Sequence, residues 1–245
     1  MDEVKRFFAE VASNVQGLSR DKDVQALSRI WVREIARHRY AYNFTWMGRP
    51  LIQFPQDMVA MQEIIWATRP DVLIETGVAH GGSLIYYASL FELLGGEGIV
   101  IGVDVDIRQH NRSEIEAHPM SKRIRLVQGS SIEGETLTAV KQHLAGQRRI
   151  MVVLDSNHTH AHVLRELQLY APLVTKGCYL VVFDTLLEDM PVDLIADRPW
   201  GPGNSPKTAV WEFLKSNDRF EIDHDIEHKL LITVAPDGYL RCLKD

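Results

Sequence analysis

Two aspartates close apolar runs, Asp155 in MVVLDSNHTHAH and Asp184 in YLVVFDTLLEDMP, and His158 follows the first by three residues. If the two runs are adjacent parallel strands, their carboxyl ends lie side by side at one edge of a sheet, where ligands bind in open α/β folds. Two carboxylates placed together repel unless a cation or a proton intervenes. An oxygen-rich pair of this kind suits magnesium or manganese, with Asp155 and Asp184 as the ligands. The competing reading for each aspartate is a helix N-cap at a strand-to-helix turn. Imidazole takes a proton near neutral pH, so His158 is the candidate catalytic base for a hydroxyl whose acidity a metal would raise. His160 and His162 in the same run are rivals for that role or structural side chains. Glu188 and Asp189 stand close enough in sequence to add a metal ligand.

A second constellation precedes these residues. ETGVAHGGS, from Glu75 to Ser83, follows an apolar strand pattern and leads into the helical pattern LIYYASLFELL. Glycine at such a turn lets a ligand approach the backbone, and the free amides of a helix start favour anionic groups. Glu75, Gly77, Gly81 and Ser83 are therefore candidate cofactor contacts. Glu75 either faces a cationic amino group or fixes the loop that does, and the plainer alternative is a tight turn packing helix on strand. Asp104 ends the next apolar run, IVIGVDVD, where a carboxylate would accept hydrogen bonds from both hydroxyls of a ribose. Asp106 could take that role, and Asp104 could be a helix cap. Ser130 and Ser131 in QGSS are candidates for adenine contact or caps, and Asp155 reaches the same pocket.

Glycine loop plus ribose acid implies a nucleoside cofactor. NAD uses the same geography, but Gly77, Gly81 and Gly82 with Ala79 between them do not match G-x-G-x-x-G, and no hydride-transfer pair presents itself. S-adenosylmethionine fits better, because the acids and His158 supply chemistry for a hydroxyl acceptor. An alkoxide held in line with a sulfonium methyl reacts by direct displacement, aided by positioning and exclusion of water.

The elements that must position these residues are legible as alternating β-branched runs and helical patterns, the mark of a mostly parallel sheet covered by helices. The pattern predicts seven strands: Val72 to Thr76, Ile99 to Asp104, Arg123 to Gln128, Met151 to Asp155, Cys178 to Phe183, Phe220 to His224 and Leu230 to Pro236. RIRLVQG alternates and belongs nearer an edge than the continuously apolar runs. In DMVAMQEIIWATRP, Met58, Met61, Ile64 and Ile65 recur at helical spacing and Pro70 ends the run. The long irregular stretch Asp189 to Pro206 is read as a functional loop over the acceptor, with Trp200 as a platform for a sugar ring or as part of a proline-pinned surface loop, and Gly201 and Gly203 beside it.

The length suits one domain, divided into an N-terminal helical cap over residues 1–70 and a Rossmann-like core over 71–245. A net charge of −6 with no Lys/Arg cluster argues against nucleic acid and for a small-molecule or glycan substrate. Cys178 and Cys242 have no metal-ligand spacing, and a reducing compartment fits. No secretory signal or apolar run of membrane-spanning length appears. The expectation is a cytoplasmic enzyme without a transmembrane segment that self-associates as a homo-oligomer.

At ETGVAHGGSL, GVDVD, LDSNHTH, VVFDT and RPWGPGNSPKTAVWEFL the chain resembles the cephalosporin hydroxylase-like family, which includes methyltransferase-like proteins, and more distantly the sugar O-methyltransferases of macrolide biosynthesis. The resemblance runs from about Gln56 to the C-terminus, and the last stretch is similar to a subgroup associated with rhamnosyl or surface-polysaccharide methylation. It implies a class I methyltransferase fold, S-adenosylmethionine, and magnesium held by one acid after the fourth strand and a pair of acids after the fifth. It makes Asp155 a ligand and His158, in a D-x-x-H arrangement, the general base. The chain departs from it at Phe183, where relatives carry an acid. That departure implies weaker metal binding, replacement by Glu188 or Asp189, or metal independence. The expected activity is O-methylation of a sugar hydroxyl, a rhamnosyl or other deoxyhexose unit in a glycan, glycolipid or natural product. Two rivals remain open at this stage: an iron oxygenase using two histidines and a carboxylate from the Asp155 to His162 stretch, and a non-catalytic scaffold that binds the methyl donor.

Overall fold

A computed structural model describes residues 2–245. Two amphipathic helices come first, α1 (Glu3–Arg20) and α2 (Lys22–Ala36), whose starts are capped by the side chains of Asp2 and Asp21. A short hairpin of β1 (Phe44–Trp46) and β2 (Arg49–Leu51) leads to α3 (Pro55–Thr68). Proline opens α3, where its missing N–H costs nothing. Arg69, left-handed at φ 49°, closes it one residue before Pro70.

Alternation then sets in: β3 (Val72–Thr76), α4 (Gly82–Leu94), β4 (Ile99–Asp104), α5 (Gln109–Ala117), β5 (Ile124–Gln128), α6 (Gly134–Gln142), β6 (Ile150–Leu154), α7 (His160–Tyr170) and β7 (Tyr179–Val182). After a long loop come α8 (Pro206–Ser216), β8 (Phe220–Ile222), α9 (His224–Leu230) and β9 (Tyr239–Cys242). The main sheet has seven strands in the order β5-β4-β3-β6-β7-β9-β8, with β9 antiparallel to both neighbours and the remaining pairs parallel. β3 and β6 are buried along their whole length, as central strands covered on both faces must be, whereas the alternating β5 forms an edge.

Strand order reverses at β3, which pairs with β4 on one side and β6 on the other. Crossovers leaving that point diverge to opposite faces and open a crevice at the carboxyl ends of the strands. Asp104, Asp155 and Asp184 all stand at that edge, at or just beyond the ends of β4, β6 and β7.

The C-terminal part departs from the sequence expectation. Leu230 to Pro236 is not a strand; the seventh strand is Tyr239–Cys242, and the sixth stops at Ile222 because α9 starts at His224. The β-branched residues misled because a distant carboxylate takes the place of a ladder. Asp57 on α3 accepts hydrogen bonds from the Val234 amide at 2.9 Å and from the Thr233 hydroxyl. The Thr233 hydroxyl in turn accepts from the Ala235 amide at 2.9 Å. The Tyr239 hydroxyl donates to Asp57 at 2.7 Å. Burial pushes the Asp57 carboxyl up to about 6 despite these donors.

Phe183 occupies the core rather than the crevice. It is 1 % exposed and meets Tyr239 edge-on, with 6.5 Å between ring centroids. Phe183→Glu therefore buries a carboxylate among apolar groups instead of restoring a ligand. We expect it to cost about 3 kcal/mol or more in denaturant unfolding, with no gain in divalent-cation affinity by calorimetry. A stable variant with tighter cation binding would contradict this placement.

Candidate functional site

The crevice is a cleft of about 250 Å³. One wall is the glycine turn with Gly77, Val78, Gly82 and Ser83, another is Asp155, Ser156, His158 and Asp184, and residues 41–53 close the third with Tyr42, Leu51 and Gln53. Helices α1 and α2 take no part in this lining, so covering of the cleft falls to the hairpin region alone.

Asp155, His158 and Asp184 converge: their ligating atoms lie within 4.8 Å of one another. The His158 Nε2 atom is 3.2 Å from a carboxylate oxygen of Asp184. Burial, and then the neighbouring charges of Asp184, Glu75 and Glu166, hold the Asp155 carboxyl well above the usual carboxylate range. Asp184 has left-handed backbone at φ 56°. Aspartate tolerates that conformation better than most residues, and strain of this sort gathers where side-chain placement matters. Trp200 and His158 pack edge-to-face, ring centroids 4.8 Å apart and planes at 86°. Trp200 thus sits behind the histidine without lining the cleft itself; the packing gives it a contact with His158 in place of an isolated surface position.

Structure separates the three histidines that sequence left together. Thr159 is the N-cap residue of α7, which leaves His158 outside the helix and facing the acids. His160 turns to α8, with Nδ1 2.8 Å from the Thr208 hydroxyl and Nε2 3.2 Å from Glu212. His162 points to Ser131 at 3.1 Å and Ser156 at 3.3 Å, beside the buried Glu166. Two histidines and a carboxylate are therefore not assembled on one centre, which removes the geometric basis for the iron-oxygenase reading. Neither acid of the Glu188–Asp189 pair completes the cluster. Glu188 accepts from the Gly203 amide at 2.9 Å and the Ser205 hydroxyl at 2.7 Å, pinning the long loop, while Asp189 pairs with Lys207 at 2.7 Å.

Around the glycine turn, Asp104 faces inward and accepts from the Val78 amide at 2.8 Å and the Asp106 amide at 3.0 Å. Asp106 is exposed and lies 3.9 Å from Arg108. Gly77 has φ +93°, and a Cβ there would lie 2.1 Å from the carbonyl oxygen of Asp155. Gly81, at φ +79°, abuts the Ile115 side chain. These glycines serve the protein's own packing, and through it they bring the turn against the acid cluster. Glu75 fixes the loop, accepting from the Ser83 hydroxyl at 2.6 Å, yet its Oε1 is buried without a partner. A buried carboxylate with a spare acceptor beside this cleft suits a cationic amino group. Burial pushes it up to about 8. The Ser130 carbonyl accepts from the Glu133 amide at 3.1 Å at the start of α6, and Ser131 is engaged by His162.

Two participants escaped the sequence reading. Gln53 lines the cleft, 6 % exposed, with its Oε1 unpartnered. Ser156 donates to Glu166 at 2.7 Å. Nothing in their local sequence marks them, since neither ends a strand that periodicity reveals.

The strand order, with β9 antiparallel between β7 and β8 at the end of a parallel sheet, is that of a class I methyltransferase fold, and the family the chain matches makes it an S-adenosylmethionine-dependent O-methyltransferase. Residues 38–243 match the family described as rhamnosyl O-methyltransferase/CmcI, and the chain belongs to that family. A rhamnosyl O-methyltransferase of Mycobacterium bovis BCG is 32 % identical over 203 residues, covering 80 % of this chain and 77 % of that one. An apo structure of CmcI superposes with a TM-score of 0.59 at 22 % identity, over 83 % of this chain and 78 % of that chain. A structure of CmcI with magnesium and S-adenosylmethionine gives 0.57 at 20 % identity, over 82 % and 77 %. At such identities these two structures speak for the fold.

Glu75 holds its proton more tightly folded than unfolded. Its contribution to stability is complete below its ordinary value of 4.5 and is lost as pH rises through about 8. Glu75→Gln removes this loss. The variant's melting temperature should gain on the parent by several degrees between pH 5 and pH 8, read by scanning calorimetry; parallel pH profiles would refute the assignment.

Proposed function

We propose that this enzyme methylates a hydroxyl of a rhamnosyl or related deoxyhexose unit in a glycan, glycolipid or glycosylated natural product, with Asp155 and Asp184 holding magnesium or manganese and His158 as base. The observation that carries the reading is the convergence of two acids and one imidazole beside the glycine turn. The name borne by the mycobacterial relatives supports the sugar acceptor, and the magnesium in the CmcI structure supports the metal. So does the donor set: carboxylate oxygens crowded by other acids are what a hard divalent cation neutralises. We place the reaction in the cytoplasm, within polysaccharide or glycoconjugate biosynthesis; no helix among the described residues is long and apolar enough to cross a membrane.

When bound, S-adenosylmethionine supplies an electrophilic sulfonium methyl, and the metal lowers the pKa of the acceptor hydroxyl. The chain's residues do the rest. Glu75 and Ser83 hold the amino-acid end of the donor, Gly77 and Gly81 shape the turn it lies on, Asp104 takes the ribose hydroxyls, and Ser130 and Ser131 border the adenine. His158 receives the acceptor's proton, and Asp184, 3.2 Å from Nε2, stabilises the imidazolium that results. Trp200 packs against that ring and restricts both its rotation and the approach of water.

His158→Ala should lower kcat roughly 10²- to 10⁴-fold while leaving donor affinity by calorimetry within a few-fold of the parent. Asp155→Ala should abolish the metal-dependent part of turnover and largely spare donor binding. Turnover unchanged at saturating magnesium would count decisively against the metal assignment. The acceptor is tested by mass spectrometry of methyl transfer to a rhamnoside beside a matched glucoside, with preference for the rhamnoside expected.

A further inference from the structure

Helices α1 and α2 carry more apolar surface than the rest of the molecule covers. In α1, Val4, Phe7, Phe8, Val11, Val15 and Leu18 form one stripe at helical spacing. Its C-terminal members are partly buried, and α1 packs on α9, but Val4, Phe7 and Phe8 are each more than half exposed. In α2, Val32 and Ile35 pack toward the core while Leu27, Ile30 and Trp31 stand more than half exposed. Neither helix contains a fully buried residue. Both precede residue 38, where the family match begins, so this surface is an addition to the shared fold.

We propose that the exposed face of α1 and α2 is the interface through which two copies of this chain form a dimer. Charge permits this occupant. Residues 2–39 hold eight Lys/Arg and six Asp/Glu, a net of +2, which leaves −8 on the remainder. Two copies meeting through their bodies oppose −8 to −8, whereas meeting through the helices they oppose only +2 to +2, a far smaller repulsion. A membrane surface fits less well. Interfacial helices carry a polar face rich in Lys/Arg, whereas Lys5 and Arg6 on α1 are offset by Glu3 and Glu10, and an acidic body would be repelled by anionic headgroups.

Area agrees with this choice. Six large apolar side chains, each more than half exposed, present on the order of 700 Å² per copy if an aromatic side chain offers about 150–250 Å² in full. A stable interface takes about 800 Å² from each partner. A two-fold axis makes such a face self-complementary, with no second binding surface needed.

Sedimentation velocity on the full chain between about 1 and 100 µM tests the proposal. We expect a dimer, weakened at least thirty-fold in dissociation constant by Phe8→Glu and likewise by Ile30→Glu, and unaffected by Leu93→Glu, which alters a still more exposed apolar residue on the body. Circular dichroism checks that the variants fold, and Val4→Glu, in the first turn of α1, replaces either one that does not. A monomer at the highest concentration would overturn the proposal, as would a dimer indifferent to the α1 and α2 substitutions. A monomer that floats with anionic lipid vesicles and loses that property in Phe8→Glu would overturn it in favour of membrane docking. Loss of methyl transfer in the site variants with the dimer intact would keep the two conclusions separate.

Discussion

The whole site depends on how closely two backbones approach. β3 and β6 are neighbours in the sheet, and the chain leaving β3 turns directly over the chain leaving β6. Gly77 makes this possible, since any side chain there would run into the carbonyl of Asp155. A larger residue would wedge the glycine turn away from Asp155 and the cluster it belongs to. Positive φ at Gly77 serves the same end, reversing the chain within one residue.

Close approach has an electrostatic consequence. Glu75, Asp155, Glu166 and Asp184 come near one another in a region with little water, and Asp155 and Glu75 both take up protons more readily than free carboxyls do. Such a cluster is costly unless its charge is neutralised by protons or by cationic partners. His158 sits where the acids meet solvent, which gives it a carboxylate partner at the mouth of the cleft.

Around this centre the protein spends further polar groups on positioning. Asp57 reaches from α3 to hold residues 233–235, and the Val234 carbonyl accepts from the Leu186 amide just beyond Asp184, so a buried acid far away in sequence steadies the segment that bears Asp184. Glu188 fastens the loop that carries Trp200 through Gly203 and Ser205. Phe183 belongs to this supporting layer: it anchors the end of β7 in the core while its neighbour Asp184 enters the cleft.

Sequence alone determined the alternation that makes the sheet, its buried centre and alternating edge, the glycine turn, and the placement of Asp104, Asp155 and Asp184 at strand ends. These follow from local rules, because periodicity reports burial and the ends of parallel strands share one edge. Tertiary structure decided what local rules leave open. It chose among His158, His160 and His162, which differ by a single helical turn and are sorted by what packs against each. It gave Glu188 and Asp189 to the loop and Phe183 to the core, and it turned the strand-like 230–236 into a tethered segment through a carboxylate on α3. Each of these outcomes rests on contacts between residues far apart in the chain, and only the folded geometry brings those partners within reach.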